Sequence, residues 1–153
     1  LRVMGGATGD DARFVRRLRR ALARAGLEED AEFLTALDRE DRQAFLESLT
    51  LLSVPMPKGE AFGLFILEAL AAGVPVVQPR AGGFEEVVNA TGGGVLYEPN
   101  EAGRLAEAWR ALLDEPDRIR GLADRGHHAV RERFTVDRMA SDMINVYASV
   151  VKE

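Results

Sequence analysis

The sequence contains no cysteine, which excludes disulfide bonds and thiolate metal sites and is typical of proteins from a reducing cytosol. It also lacks any run of about 18 uninterrupted apolar residues, the length that a membrane-spanning helix needs. The first residues show no basic-then-apolar layout of a secretory signal. These absences predict a soluble protein.

An excess of positive charge is absent too, because 20 basic residues face 25 acidic ones and the net charge is -5. A protein that depends on nucleic acid or on an anionic bilayer usually carries the opposite balance. Six arginines do cluster within residues 13–24, but they mostly flank an apolar helical stripe, and the acidic segment "GLEEDAE" follows. This pattern favours a solvated helix face over a nucleic-acid patch.

The chain of 153 residues, 46% of them hydrophobic, is long enough for one domain with a buried core. Short apolar runs alternate with helical patterns, which predicts an α/β fold with a parallel sheet covered on both faces. The predicted strands are residues 1–5, 31–37, 49–55, 74–79 and 94–99, and the helices between and after them include one over residues 62–72.

Several residues are expected to shape the helices. Phe14, Leu18 and Leu22 recur at helical spacing and predict the stripe that faces the sheet. Asp38, Asn100 and Thr135 are expected to cap the helices that follow them, and Pro116 is expected to open another helix.

The segment "KGEAFGLFILEALAAGVPVV" places two carboxylates, Glu60 and Glu68, around an almost wholly apolar helix. Such a helix should be buried, and a buried carboxylate requires hydrogen-bond donors or an open cleft. If the helix begins near Phe62, both acids can line the crevice at the carboxyl end of the preceding strand, where open parallel sheets bind ligands.

Between the two acids, the backbone N–H groups of Phe62, Gly63 and Leu64 form the first turn of the predicted helix and favour a phosphate. Carboxylates accept hydrogen bonds from vicinal hydroxyls. The order of hydroxyl, phosphate and hydroxyl matches a nucleoside diphosphate sugar. The simpler alternatives are that Glu60 only favours a helix N-terminus and that Glu68 is solvated or paired with an arginine.

Three other features of the sequence are candidates for chemistry. Gly82, Gly83 and Phe84 form either an ordinary strand-to-helix turn or a second ligand loop. His127 and His128 point about 100° apart on a helix and have no third ligand at metal-binding spacing. Trp109 falls at helical spacing with Leu105 and Leu112, so a core position is predicted.

The stretches "EAFGLFILEALAAGVPVV", "PRAGGFEEVV", "TGGGVLYEP" and "ERFTVDRMASDMINVYASVV" together resemble the carboxyl-terminal domain of the retaining GT-B glycosyltransferases of family 4, or group 1. Glu60 and Glu68 match the E-x7-E motif of this family, and the resemblance spans nearly the whole chain. It implies a Rossmann-like doubly wound parallel sheet that forms one half of a GT-B fold.

The resemblance implies a role for each matched residue. Glu60 would contact hydroxyls of the donor sugar as the catalytic residue, and Glu68 would hold the ribose. The amides of Phe62, Gly63 and Leu64 would meet the diphosphate. Amides of Gly82, Gly83 and Phe84 would lie near the donor, with Glu85 or Glu86 as a neighbour, and Thr35, Ala36 and Leu37 would receive the base. No metal and no cofactor other than the donor substrate is implied.

The family pattern also extends beyond this sequence. Nothing in residues 1–30 matches the family's basic G-R-x4-K-G type motif, and the amino-terminal domain that binds the acceptor is missing. We therefore expect residues 1–153 to be a partial carboxyl-terminal nucleotide-sugar-binding domain that is inactive alone, with self-association as one way to complete its sheet. A cytoplasmic location is implied, with peripheral contact to the inner membrane through the missing domain left open.

Two other functions remain open at this point. A GT-B-related sugar-nucleotide epimerase would use a similar cleft without an acceptor. A non-catalytic nucleotide-binding module would keep the scaffold and lose donor selectivity.

Overall fold

The computed structural model describes residues 1–5, 9–35, 38–56 and 59–151, which divide into two compact units, Leu1–Leu49 and Thr50–Glu153. The elements in chain order are β1 (Arg2–Met4), α1 (Gly9–Arg24), β2 (Glu32–Leu34), α2 (Arg39–Glu47), α3 (Leu64–Ala71), β3 (Val76–Pro79), α4 (Gly83–Thr91), β4 (Gly94–Tyr97), α5 (Ala102–Leu113), α6 (Pro116–Arg133) and α7 (Val136–Val150). Each described sheet has two parallel strands, β1 with β2 and β3 with β4.

The first unit is a short strand-helix-strand-helix segment. β1 and β2 pair in register from Arg2 with Glu32 to Met4 with Leu34. The predicted cap of α2 is confirmed, since the Asp38 carboxylate accepts a hydrogen bond of 2.7 Å from the backbone N–H of Asp41. The negative charge of Asp38 also raises the pKa of the Asp41 carboxyl above its usual range.

The inward face of α1 differs from the predicted stripe. Val15, Leu18 and Leu22 are half-buried, whereas Phe14 is 56% exposed. The prediction of Phe14 on the inward face was therefore wrong. Val15 lies closer to the centre of the face that contains Leu18 and Leu22, because successive residues are 100° apart around a helix.

The second unit is built around β3, which is buried at every position. β3 and β4 pair in register from Val76 with Gly94 to Pro79 with Tyr97. The predicted strand over residues 49–55 is reduced to a single parallel bridge between Leu52 and Val76.

Side chains replace the backbone ladder after that bridge. The Ser53 hydroxyl donates to the carbonyl of Val77 at 2.5 Å, and the Val54 N–H donates to the side-chain Oε1 of Gln78 at 3.2 Å. A backbone N–H that bonds to a side chain is lost to the strand ladder. The predicted strand thus ends early because Ser53 and Gln78 make the connection in place of backbone pairing.

One part of the core of the second unit lies between its sheet and the helices α5 and α6, and the fully buried Ile66, Leu70 and Phe84 belong to α3 and α4. One cluster consists of Val77, Tyr97, Leu112 and Leu122, with the half-buried Trp109 packed against it. The predicted core position of Trp109 is therefore confirmed. A second close contact forms where Gly93 and Gly126 both approach Leu70 of α3, since a Cβ atom at either glycine would lie within 2.6 Å of the Leu70 side chain.

The helix ends agree with the sequence at two of three positions in this unit. Pro116 is the first residue of α6, and the Thr135 hydroxyl accepts a 3.2 Å hydrogen bond from the Arg138 N–H at the start of α7. The prediction that Asn100 caps α5 was wrong. Glu101 precedes α5 without a capping bond, and the Asn100 side chain bonds to Tyr97 and Met56 instead.

None of the helices in the described parts of the chain is long and apolar enough to cross a bilayer.

Candidate functional site

Two loops predicted to bind ligand lie directly beside each other in the second unit. Glu60 and Gly82 form a parallel bridge, and the Gly83 N–H donates a 2.8 Å hydrogen bond to the carbonyl of Glu60. The structure therefore joins residues 59–63, which precede α3, to residues 81–84, which precede and begin α4. The sequence places these segments about 20 residues apart, and the fold makes them one surface.

Glycines make this close approach possible. A Cβ atom at Gly82 would lie 2.5 Å from the carbonyl oxygen of Glu60, and one at Gly83 would lie 2.4 Å from the carbonyl oxygen of Ala61. Gly59 has a φ of +71°, and a Cβ there would contact the backbone of Ala81 and Gly82 at 3.0 Å. Larger residues would push the loops apart, so these glycines set the position of Glu60.

The start of α3 is open at its backbone. Gly63 precedes the helix with a left-handed φ of +81° and provides no side-chain cap. Within the part of the chain that the structure describes, no hydrogen bond to the N–H of Phe62, Gly63 or Leu64 is present, while the Ile66 N–H bonds to the Gly63 carbonyl at 2.9 Å. Open amides at a helix N-terminus attract an anion through their N–H groups and the helix dipole.

The start of α4 is also uncapped by any side chain, but its first amides have acceptors in the chain. The Gly83 N–H bonds to Glu60, and the Phe84 N–H makes a long bond of 3.4 Å to the Ala81 carbonyl. The Phe84 ring is fully buried and packs edge-to-face on Phe65, with 5.9 Å between the ring centroids. A ligand contact by Phe84 could therefore come only from its backbone.

The Phe84 ring also supports the beginning of α3. A Cβ atom at Gly63 would lie 3.0 Å from Cε1 of Phe84. The starts of α3 and α4 thus pack on one aromatic ring. Because that ring is rigid and buried, it fixes the open amides of α3 relative to Glu60.

Glu60 is half-buried, and its side-chain Oε1 accepts a hydrogen bond of 3.1 Å from the Ala61 N–H. A hydrogen bond to a carboxylate restricts its rotamers. The carboxylate is thereby held near the loop that leads to the amides of α3.

Glu68 is half-buried on α3, one turn after Leu64, whose side chain is 61% exposed. The buried residues of the same helix are Ile66, Leu67, Ala69 and Leu70. The prediction that α3 is buried all round was therefore wrong, because one side of the helix is accessible. Glu68 lies on that accessible side, about 6 Å along the helix axis from Leu64.

The predicted base contacts belong to the first unit. Thr35 follows β2 and is exposed, while Ala36 and Leu37 lie outside the described residues. The assignment of these three residues to a nucleotide base stays a prediction.

Three features near the site were not predicted from the sequence. Arg80 follows β3 and pairs with Glu85 of α4 and, at 3.4 Å, with Glu98. The buried Gln78 holds Val54, as described above. The sequence contains a signal for each of these two residues: Arg80 directly follows the strand, and Gln78 is the polar residue inside "VPVVQP".

The third feature is a pair of hydrogen bonds that holds Met56. The Tyr97 hydroxyl donates to Oδ1 of Asn100 at 3.0 Å, and Nδ2 of Asn100 donates to the carbonyl of Met56 at 3.0 Å. Burial raises the pKa of the Tyr97 phenol above its usual range. Tyr97 is consequently neutral and able to donate this bond throughout the physiological pH range.

Among the residues that the structure describes, no group of three or more His, Cys, Asp or Glu side chains could hold a metal ion. His127 instead makes a 2.9 Å contact from Nδ1 to the Ala71 carbonyl at the end of α3, and His128 pairs with Glu132 at 3.1 Å. The expectation of chemistry without a metal stays a prediction.

Comparison with known proteins identifies relatives across the chain. Residues 1–128 match the family described as "Glycosyl transferases group 1". The N-acetyl-alpha-D-glucosaminyl L-malate synthase of Bacillus anthracis is 30% identical over 117 residues, covering 76% of this chain and 31% of the relative. The D-inositol 3-phosphate glycosyltransferase of Salinispora tropica is 31% identical over 151 residues, covering 99% and 31%. The chain thus spans about a third of the length of these relatives.

Solved structures agree with this assignment. Sucrose-phosphate synthase of Thermosynechococcus elongatus superposes with a TM-score of 0.84 at 27% identity, covering 99% of this chain and 38% of the other. Anabaena HepE, solved in complex with UDP and glucose, superposes with a TM-score of 0.86 at 26% identity, covering 97% and 40%. These neighbours are GT-B enzymes, which confirms the predicted α/β, Rossmann-like fold class.

Proposed function

The chain belongs to the group 1 glycosyl transferases, and from this premise we propose that it is the donor half of an enzyme that transfers a sugar from a nucleoside diphosphate to an acceptor. The transfer would retain the anomeric configuration. The chain would be a partial carboxyl-terminal domain, and a separate amino-terminal domain would bind the acceptor.

The observation that carries the proposal is the open start of α3 beside Glu60. Its open amides suit a diphosphate, and the adjacent carboxylate suits sugar hydroxyls. The exposed side chains of Phe62 and Leu64 flank these amides and would reduce the local water content when a donor binds. The HepE complexes with UDP and with UDP-glucose support this choice of ligand.

The proposed chemistry follows from where charge develops. When the glycosidic bond to the diphosphate breaks, negative charge grows on the phosphate oxygens and positive charge on the sugar. The amides of Phe62, Gly63 and Leu64 would stabilise the first, since preorganised N–H donors lower the energy of a developing anion. Glu60 would hold the sugar hydroxyls and support the positive charge.

The remaining predicted residues would have supporting roles. Glu68 would accept hydrogen bonds from the ribose hydroxyls and take no part in bond breaking. Gly82, Gly83 and Phe84 would form the wall that fixes Glu60 next to the donor. Thr35, Ala36 and Leu37 would contact the base through their backbone.

We propose a cytoplasmic location for this function, in line with the absence of cysteine from the sequence. The acceptor would be a sugar, a lipid or a small molecule, and its contacts would come from the amino-terminal domain. The isolated chain would bind donor without turnover and would be prone to self-association.

The decisive experiment separates the two carboxylates in the full-length protein. Binding of UDP and UDP-glucose is measured by calorimetry for the parent, Glu68→Ala and Glu60→Ala, with transfer activity measured in parallel. Glu107→Ala, which removes an exposed glutamate from α5, is the matched control. We expect Glu68→Ala to weaken UDP binding by about 1 to 3 kcal/mol, while Glu60→Ala leaves UDP binding unchanged and reduces sugar transfer.

Other outcomes point to the two remaining functions. Equal and negligible effects of both substitutions on binding would contradict the proposal and favour a non-catalytic module. Release of free nucleotide diphosphate at the same rate with and without acceptor would favour an epimerase-like reaction.

A further inference from the structure

Helix α1 of the first unit presents one strongly basic side. Five of its six arginines recur at positions that share a helix face and line an open recess of about 530 Å³ together with Ala21: Arg13, Arg16, Arg17, Arg20 and Arg24. We name these five residues the arginine face. All five are exposed, whereas Val15, Leu18 and Leu22 are the half-buried residues on other sides of the helix.

The arginine face has no carboxylate partner in the described part of the chain, where the ion pairs involve other arginines. α1 contains six arginines against two aspartates, both at its first turn. Like charges three or four residues apart destabilise a helix. The repulsion within this face would be relieved by an external array of negative charges.

An exposed aromatic side chain adjoins the arginine face. Phe14 is 56% exposed, and the Arg17 guanidinium carbon lies 5.6 Å from its ring centroid. An aromatic ring beside basic residues on an accessible helix side is the arrangement of helices that lie at a membrane interface, where the ring enters the headgroup region.

We propose that the arginine face and Phe14 form a docking surface for the anionic surface of a phospholipid membrane. The five guanidinium groups would contact lipid phosphates, which guanidinium binds through paired hydrogen bonds. Phe14 would insert beside them. The surface belongs to this chain itself, and it operates independently of any contact made by an acceptor domain.

The distribution of charge favours a membrane over a nucleic acid. The basic residues follow a single helix face about 16 Å long. Salt screens exposed charges beyond about one Debye length, roughly 10 Å. The segment that follows α1 also carries the acidic residues Glu28, Glu29 and Asp30. The positive potential is therefore confined to the neighbourhood of the helix. A duplex requires a wider positive surface, while a bilayer need only touch one row of residues.

The same distribution answers the objection raised by the net charge of -5. Net charge describes the whole chain, but attraction to a surface depends on the groups that reach it within the screening distance. On α1 those groups are overwhelmingly positive, so the acidic residues elsewhere do not prevent docking.

The proposal is tested by vesicle sedimentation with the full chain. The vesicles contain phosphatidylcholine alone or phosphatidylcholine with phosphatidylglycerol in equal parts. The triple variant R13Q/R16Q/R20Q is compared with R104Q/R118Q/R120Q, which loses the same charge from exposed positions on α5 and α6. Circular dichroism verifies that both variants are folded.

We expect the parent and the α5/α6 variant to sediment with the anionic vesicles and not with the neutral ones. The α1 variant should bind the anionic vesicles at least about tenfold more weakly, since each basic residue near an anionic surface adds to the affinity. Phe14→Ser should weaken binding while leaving its salt dependence unchanged, because the ring contributes no charge.

Three results would overturn the proposal. Equal binding by the two triple variants would show that the position of the charges is irrelevant. Binding of the parent that does not decrease as salt is raised would exclude a charge-based contact, and this measurement does not depend on any variant folding. Binding of a duplex RNA or DNA oligonucleotide by the parent, lost in R13Q/R16Q/R20Q and unaccompanied by vesicle binding, would assign the surface to a nucleic acid.

Discussion

The helices α3 and α4 begin next to each other in the second unit, and both begin after a glycine with no side-chain cap. Their backbone amides nevertheless differ. The first two amides of α4 bond to Glu60 and Ala81, whereas the first amides of α3 have no acceptor within the described parts of the chain. One helix start therefore holds the structure together, and the other is the one that we propose for a ligand.

This difference shows why a glycine-rich turn does not by itself identify a phosphate site. The Gly82-Gly83 turn serves mainly to bring α4 against Glu60, as the short distances from its Cβ positions demonstrate. At Gly63, by contrast, the atoms nearest to the Cβ position belong to the Phe84 ring and not to another backbone segment. Among the described residues, no neighbouring carbonyl is therefore placed to accept from the amides of this turn. Substitutions on each side should separate a structural role from a ligand-binding one.

Removing the shared aromatic support should have the largest effect. Phe84→Ala should lower the free energy of unfolding by about 3 to 5 kcal/mol, because it leaves a cavity under both helix starts. Urea denaturation followed by circular dichroism measures this change. Phe14→Ala is the control, since Phe14 is 56% exposed and should cost under about 1 kcal/mol. Similar losses for the two variants would contradict a shared support at Phe84.

Adding one methyl group at the start of α4 should come next. Gly83→Ala should lower the free energy of unfolding by about 2 to 4 kcal/mol, because the new Cβ would lie 2.4 Å from the Ala61 carbonyl oxygen. Gly103→Ala in α5 is the matched control, since no atom lies within 4 Å of its Cβ position. It should raise stability by up to about 1 kcal/mol through helix propensity. The changes in the free energy of unfolding of the two variants should therefore have opposite signs.

The start of α3 can be compared with its own end. Gly63 and Gly73 both have a positive φ, +81° and +76°, but only Gly63 has a close neighbour at its Cβ position. Gly73→Ala should cost about 1 to 2 kcal/mol from backbone strain alone, and Gly63→Ala should cost about 1 kcal/mol more through the Phe84 contact.

UDP binding provides a second comparison between Gly63 and Gly73. Gly63→Ala should weaken UDP binding by roughly tenfold, because it displaces the open amides, and Gly73→Ala should leave UDP binding unchanged. Equal weakening by both variants would mean that the amides at the start of α3 do not contact the diphosphate.

The smallest effect is expected at the hydrogen bonds that link Tyr97, Asn100 and Met56. Tyr97→Phe removes the hydrogen bond to Asn100 and should lower stability by about 1 kcal/mol at neutral pH. The raised pKa of Tyr97 means that folding favours the neutral phenol, so its contribution is complete below pH 10 and is lost as the pH rises above that value.

Unfolding measured across the alkaline range should therefore show a steeper decline in the parent than in Tyr97→Phe. Parallel declines in the two proteins would indicate that ionisation of Tyr97 is not linked to folding. Tyr147→Phe is the control, because this tyrosine is 63% exposed on α7.

Much of the fold could be predicted from short patterns. The predicted helix starts at Asp38, Pro116 and Thr135 are confirmed. These predictions succeed because a helix start depends on one side chain and the first turn of one helix. The strands β3 and β4 follow from apolar runs bounded by glycine and proline. Family 4 motifs further identified the chain as part of a GT-B fold, which the solved neighbours confirm.

Two of the incorrect predictions share a cause. The strand over residues 49–55 and the cap at Asn100 each depended on partners remote in the sequence. Gln78 takes the Val54 amide, and Tyr97 and Met56 engage Asn100. Local propensity contains no information about such competing hydrogen bonds.

The sequence by itself determined most of the helices, the strands β3 and β4 and which acids surround the start of α3, because those properties depend on composition and spacing along the chain. Only the tertiary structure decided that the Gly83 and Phe84 amides of α4 bond to Glu60 and Ala81, while the first amides of α3 have no acceptor among the described residues. The physical reason is that hydrogen-bond satisfaction depends on which backbone atoms meet in space, and the 2.8 Å contact between Gly83 and Glu60 exists only once residues 59–63 and 81–84 have packed together.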